Sequence, residues 1–271
     1  MKKTTPENFQ AQFDGFYHTP HLFLKPVWGL QPFLTLNNAI PPVYNGTGLE
    51  KIRLGQRVER FVTAELKQFE DIHVIAENLQ IRTENKQTIG ELDVLIKEGA
   101  QLTHLEIQFK YYLYDPALGT TEIDHCIGPM RRDTLNQKLA KLKEKQFPML
   151  YAEETKRYLD QLEVKAADFV QKIYFKAQIF LPYGSAITLK TLNPECVYGY
   201  YVRYADFEQF AKAQFYKPKK TDWLLDVSLD VPWESYEEVL PMMKHYQEEQ
   251  YAPMLWIRHE NNEVIKCFAV L

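Results

Sequence analysis

Cysteine is scarce in this chain: Cys126, Cys196 and Cys267 are the three present, far apart and odd in number. No CxxC pair occurs, so the usual signature of a zinc site or a thiol redox centre is missing, and the three read as reduced thiols. Long apolar runs are missing too, since nowhere do about eighteen apolar residues follow one another as a membrane helix requires. The opening MKKTTPENFQAQF carries two lysines with no apolar stretch behind them, unlike a secretory signal. These absences give the expectation of a cytoplasmic protein that does not enter a membrane. Excess positive charge is also absent. The 32 basic residues face 36 acidic ones, a net charge of −4, which argues against coating nucleic acid by bulk electrostatics and makes any phosphate binding local.

What is present suits a folded α/β protein. The 271 residues are 45% apolar and 25% charged, enough to bury a core as one large domain or two small ones. Residues 1 to 47, rich in Pro, Asn and aromatics, read as an irregular arm. From 48 to 70 Val58, Phe61, Val62, Leu66 and Phe69 recur at spacings of three and four, which predicts an amphipathic helix. Strands are predicted over 72–82, 88–96 and 102–112. Helices follow over 130–146 and 153–171, then strands from 173 and from 198. Further helices are expected over 205–214 and 235–249. The chain closes with a hairpin turning at Asn261 and Asn262, residue types that tolerate positive φ. No internal repeat or low-complexity tract interrupts this order.

Chemistry concentrates in the hairpin of the second and third strands. Alternation puts His104, Glu106, Gln108 and Lys110 on one face, and Glu91 with Asp93 on one face of the preceding strand. Glu98-Gly99-Ala100-Gln101 fits a two-residue type II′ turn, with Gly at the first central position. Counting outward from a Glu98–Gln101 pair sets Leu95 opposite His104, Asp93 opposite Glu106 and Glu91 opposite Gln108. Opposed residues have Cβ atoms roughly 4.5–5.5 Å apart, so two carboxylates would stand side by side and repel. A divalent cation between them removes that penalty, and Mg²⁺ takes one or two carboxylates with water and substrate phosphate completing its shell. The plain alternative is a solvated polar face. Predicted helices on both sides of the hairpin in sequence argue that little of the sheet is open. A bulge at Gly90 would shift the register.

The run of helix, strand, GELDVLI, tight turn and HLEIQFK, followed by a helix, resembles the PD-(D/E)XK nuclease superfamily. More narrowly, GELD, HLE with a lysine four residues on, IGP with a downstream Asp, and LNQKLAKL resemble an uncharacterised bacterial domain-of-unknown-function family placed within it. The narrow likeness covers about residues 48 to 146. It implies a restriction-endonuclease-like α-β-β-β-α-β core, with a mixed, centrally antiparallel sheet flanked by helices, over 48–190. Residues 191–271 would be an α/β extension on the same core. It also implies Mg²⁺ or Mn²⁺ held by Asp93, Glu106 and Glu59, and metal-assisted phosphodiester hydrolysis of nucleic acid, DNA favoured over RNA. The superfamily lysine belongs two residues after Glu106, where this chain has Gln108; the lysine is displaced to Lys110, about 6.5–7 Å along the strand. Lys110 would orient the attacking water, with Gln108 assisting.

Other residues carry paired readings. Arg131, Lys138 and Lys145 fall seven apart, with Lys141 nearby, as a basic ridge that could follow a phosphate backbone or be an ordinary solvated flank. Phe215 to Lys220 with Trp223 has the mixture used by single-strand binders, and equally that of a surface loop. His104 is a hydrogen-bonded bystander or a general base. Three function classes stay open: a Mg²⁺-dependent nuclease; a nuclease fold without chemistry that binds nucleic acid or a protein; and a glycosidase using Asp93 and Glu106 as its carboxyl pair.

Overall fold

The computed structural model describes residues 6–35 and 40–271. In chain order the elements are α1 (Pro6–His18), β1 (Gln31–Pro32), α2 (Leu54–Leu66), β2 (Ile72–Arg82), β3 (Thr88–Glu98), β4 (Gln101–Tyr114), α3 (Glu122–His125) and β5 (Cys126–Ile127). They continue with α4 (Leu135–Lys141), a π turn over Leu142–Gln146, a 3-10 turn over Phe147–Tyr151, α5 (Glu153–Gln161), β6 (Phe169–Pro182) and β7 (Val197–Arg203). Last come β8 (Gln214–Tyr216), β9 (Glu234–Ser235), α6 (Tyr236–Glu248), β10 (Met254–Arg258) and β11 (Val264–Val270). The fold is mixed α/β, with parallel and antiparallel pairs. Among the described residues no helix is long and apolar enough to cross a membrane.

The chain forms two compact units whose residues interleave. The first takes 1–13, 21–109 and 137–176; the second takes 14–20, 110–136 and 177–271. Divisions expected at 47 and 190 do not coincide with this partition. The arm also differs from expectation: residues 6–18 of it are the helix α1, while its residues 1–5 and 36–39 lie outside the described residues. The helix forms because Phe9, Phe13 and Phe16 fall on one buried stripe, a spacing obscured by the Pro- and aromatic-rich run behind it.

In the first unit β2, β3 and β4 are an antiparallel meander and β6 follows β4 in strand order. The turn carries Gly99 at φ +57°, the left-handed value needed at that position. Pairing begins at Glu98 with Gln101 and includes Leu95 with His104, the register counted from sequence. The ladder runs as far as Val94 with Leu105. A bulge does lie beside Gly90, but in the β2–β3 ladder, between the pairs Ile81–Gly90 and Arg82–Thr88. Helix α2 buries Val58, Phe61, Val62 and Leu66, with Phe61 edge-on to Phe13 at 5.4 Å and Arg57 bonded to Gln12 at 2.6 Å. A second cluster of Ile81, Leu92, Leu95, Leu150, Leu159 and Phe169 closes around β2 and β3.

In the second unit β6, β7 and β11 pair in parallel, and β11, β10, β8 and β9 antiparallel. Asn262 takes φ +64° in the β10–β11 hairpin, as expected. The predicted helix over 205–214 is instead a 3-10 turn over Tyr204–Phe210, and the one over 153–171 stops at Gln161 because β6 has begun by Phe169. Phe215 and Trp223, considered for base stacking, are core residues: Phe215 packs with Val239 and Met243 of α6, and Trp223 stands edge-on to Phe268 at 5.1 Å.

Candidate functional site

The hairpin's polar row in the first unit is buried rather than solvated. His104 and Glu106 have no exposed surface and Asp93 is half-buried. Where the β3–β4 ladder ends, the Asp93 carboxyl replaces a backbone acceptor, taking the Ile107 N–H on Oδ2 at 2.8 Å. That bond holds Asp93 beside Glu106, close enough for the two carboxyls to shift each other's titration.

Neutral donors complete the shell of Glu106. Its Oε1 faces His104 Nε2 at 3.1 Å, and its Oε2 accepts from Gln146 Nε2. Gln146 reaches the strand because α4 loosens into the π turn at Leu142, an irregularity often found where a side chain must be re-aimed. Its Oε1 accepts from Lys138 Nζ at 3.2 Å, so the lysine acts on Glu106 through the amide and through space. Behind His104, Gln171 Nε2 lies 3.0 Å from Nδ1 and donates to the Phe147 carbonyl at 2.7 Å.

The electrostatics follow from this crowding. Burial pushes both Asp93 and Glu106 above the usual carboxyl range, and the neighbouring Glu106 charge raises Asp93 further. Glu59 on α2 is pushed up to about 7, by burial first and then by Asp93 and Glu91. Glu91 is raised by burial. Burial lowers His104 to about 4, keeping the imidazole neutral.

Sequence reasoning thus brought together Asp93, Glu106 and Glu59, with Gln108 buried one step further along β4. It missed Gln146 and Gln171, polar residues in apolar surroundings whose partners are 40 and 67 residues away. Lys110 is not poised as expected. It belongs to the second unit, where its Nζ forms an ion pair with Asp133 at 2.8 Å. The basic ridge also differs: α4 starts at Leu135, and Arg131 precedes it in a turn at φ +53°, paired with Asp115 at 2.8 Å. Lys141 and Lys145 are exposed, and Lys138 is turned toward Gln146.

Among the described residues no group of three or more His, Cys, Asp or Glu is arranged to hold a metal ion. An all-protein cage for Ca²⁺ or a tetrahedral Zn²⁺ site is therefore not built here. Two adjacent carboxyls do fit Mg²⁺ or Mn²⁺, which need few protein oxygens and complete their shell with water and phosphate.

Fold and site together define a mixed α/β protein with a buried acidic pair braced by neutral donors. The chain belongs to a family of domains of unknown function, DUF1853, whose model matches residues 37–266. No curated protein and no solved structure matches it.

Proposed function

We propose that the protein is a metal-dependent phosphodiester hydrolase acting on nucleic acid, DNA or RNA, with a restriction-endonuclease-like core. The observation that carries this reading is the Asp93–Glu106 pair: a half-buried and a fully buried carboxyl set side by side across a β-hairpin, met by the Ile107 N–H, the His104 imidazole and the Gln146 amide. Asp93 and Glu106 would hold Mg²⁺ or Mn²⁺, and Glu59 would serve through a bound water. Such an ion supplies a nucleophilic water at neutral pH and neutralises charge on the phosphate.

The chain's own groups then have distinct tasks. Glu106 is fixed in orientation by His104 and Gln146. Asp93 is fixed by Ile107 N–H and would hold the ion as a carboxylate, its proton passing to solvent. Lys138, coupled to the site through Gln146, supplies the positive charge first assigned to Lys110, and Gln108 lies along the strand where it can orient a water. Exposed Lys141 and Lys145 offer sequence-independent contacts to a phosphate backbone.

A second reading has its own support. The Lys110–Asp133 ion pair would leave a nuclease fold without its strand lysine, suited to binding nucleic acid or a protein partner without cutting. Incubation with labelled single- and double-stranded DNA and RNA in Mn²⁺ separates the two. Cleavage that disappears with chelator and in Asp93→Ala supports the hydrolase; chelator-insensitive binding without cleavage supports the alternative.

A further inference from the structure

We propose that His104 is a positioning residue for Glu106: Gln171 fixes its tautomer, and the resulting Nε2–H sets the plane of the carboxylate that the function above requires. The role rests on that reading, but the geometry stands independently of it. A backbone carbonyl can only accept, so the Gln171 atom 2.7 Å from the Phe147 oxygen is the amide nitrogen. The same NH₂ group lies 3.0 Å from His104 Nδ1, and its second hydrogen has that nitrogen's lone pair as acceptor. A neutral imidazole whose Nδ1 accepts carries its proton on Nε2, the atom 3.1 Å from Glu106 Oε1. The Phe147 ring stands edge-on to the imidazole at 5.8 Å and limits its rotation.

Orientation at the other oxygen is fixed by the same logic. Lys138 can only donate, so the Gln146 atom facing it is the amide oxygen and the nitrogen faces Glu106 Oε2. Glu106 thus receives one N–H on each oxygen, from two side chains anchored in different elements. Asp93 is the acidic neighbour of this braced carboxylate, the side on which an ion would be shared. The assignment also removes His104 as a general base: one nitrogen is already protonated and the other is occupied. Residues that orient a metal-binding side chain in this way typically govern affinity by about 10–100-fold.

The test uses the full chain with ¹⁵N-labelled histidine. Long-range ¹⁵N–¹H spectra of wild type should show His104 as the Nε2–H tautomer at neutral pH. By calorimetry His104→Ala should weaken Mn²⁺ binding by about 10–100-fold, with Gln171→Leu weakening it in the same direction. His104→Gln, whose amide can place an N–H near the Nε2 position, should restore affinity to within a few-fold. An Nδ1–H signal in wild type overturns the proposal whatever the metal does, as does wild-type affinity in both His104→Ala and Gln171→Leu. If wild type itself binds no Mn²⁺, the metal reading falls, and the positioning role stands or falls on the tautomer. Gln171→Leu, outside the carboxyl pair, keeps the affinity test open should His104→Ala fail to fold.

Discussion

Two acids in the first unit are buried completely, and their surroundings differ in kind. Glu65 on α2 has no exposed surface, yet Lys176 Nζ lies 3.4 Å from it, Thr35 donates to it at 2.6 Å and Tyr174 donates to its other oxygen. His21 closes the group against Thr35 at 3.0 Å and, pushed down to about 3 by burial, stays neutral. Glu106 is equally enclosed, but its partners are a neutral imidazole, an amide and a second acid. One site is a finished ion pair; the other sets two acids together among neutral donors, with Lys138 acting on Glu106 through the Gln146 amide and through space. Burial alone therefore does not distinguish the two acids; the match between each charge and its fixed partners does.

The comparison can be broken most forcefully at the finished pair. Lys176→Met leaves Glu65 buried without its cation and should cost about 3–5 kcal/mol, read by urea denaturation. The opposite sign is expected at the other site: Asp93→Asn removes one member of a repelling pair and should raise the metal-free melting temperature by about 2–4 °C at pH 8. That variant should also lose on the order of 10² or more in hydrolysis, in a Mn²⁺-dependent cleavage assay.

The acidic cluster also makes metal-free stability depend on pH. A carboxyl whose folded pKa lies above its unfolded value stabilises the fold below the unfolded value, and that contribution disappears as pH rises through the folded one. For Glu59 the window runs from about 4.5 to about 7, and Asp93 and Glu106 act in the same direction. Thermal melts should therefore show stability falling between pH 5 and pH 8, with Mg²⁺ lessening the fall. The smallest effect belongs to Lys110→Met. Its partly exposed ion pair with Asp133 should contribute about 1 kcal/mol or less, and cleavage should be unchanged, whereas Lys138→Met should lower it on the order of 10²-fold.

The hairpin was legible because its determinants are local: Gly99 sets the turn, and a turn with a period of two fixes every opposed pair up to Val94 and Leu105. Helix α2 was legible from its apolar spacing. What lay beyond local pattern was the choice of partner. Nothing near Lys110 in sequence announces that Asp133, 23 residues away, will take its ammonium. Nor does the LAKLKEKQF run show that α4 will loosen into a π turn and deliver Gln146 to Glu106. The interleaving of the two units has the same origin, since it depends on which segments meet rather than on what each segment is.

The shared carboxyl site is tested most directly by titration calorimetry of Mn²⁺ into wild type and Asp93→Asn at pH 7.5. One equivalent bound by wild type, with binding lost in the variant, is the result the account predicts. Equal binding by both, or none by either, would contradict it.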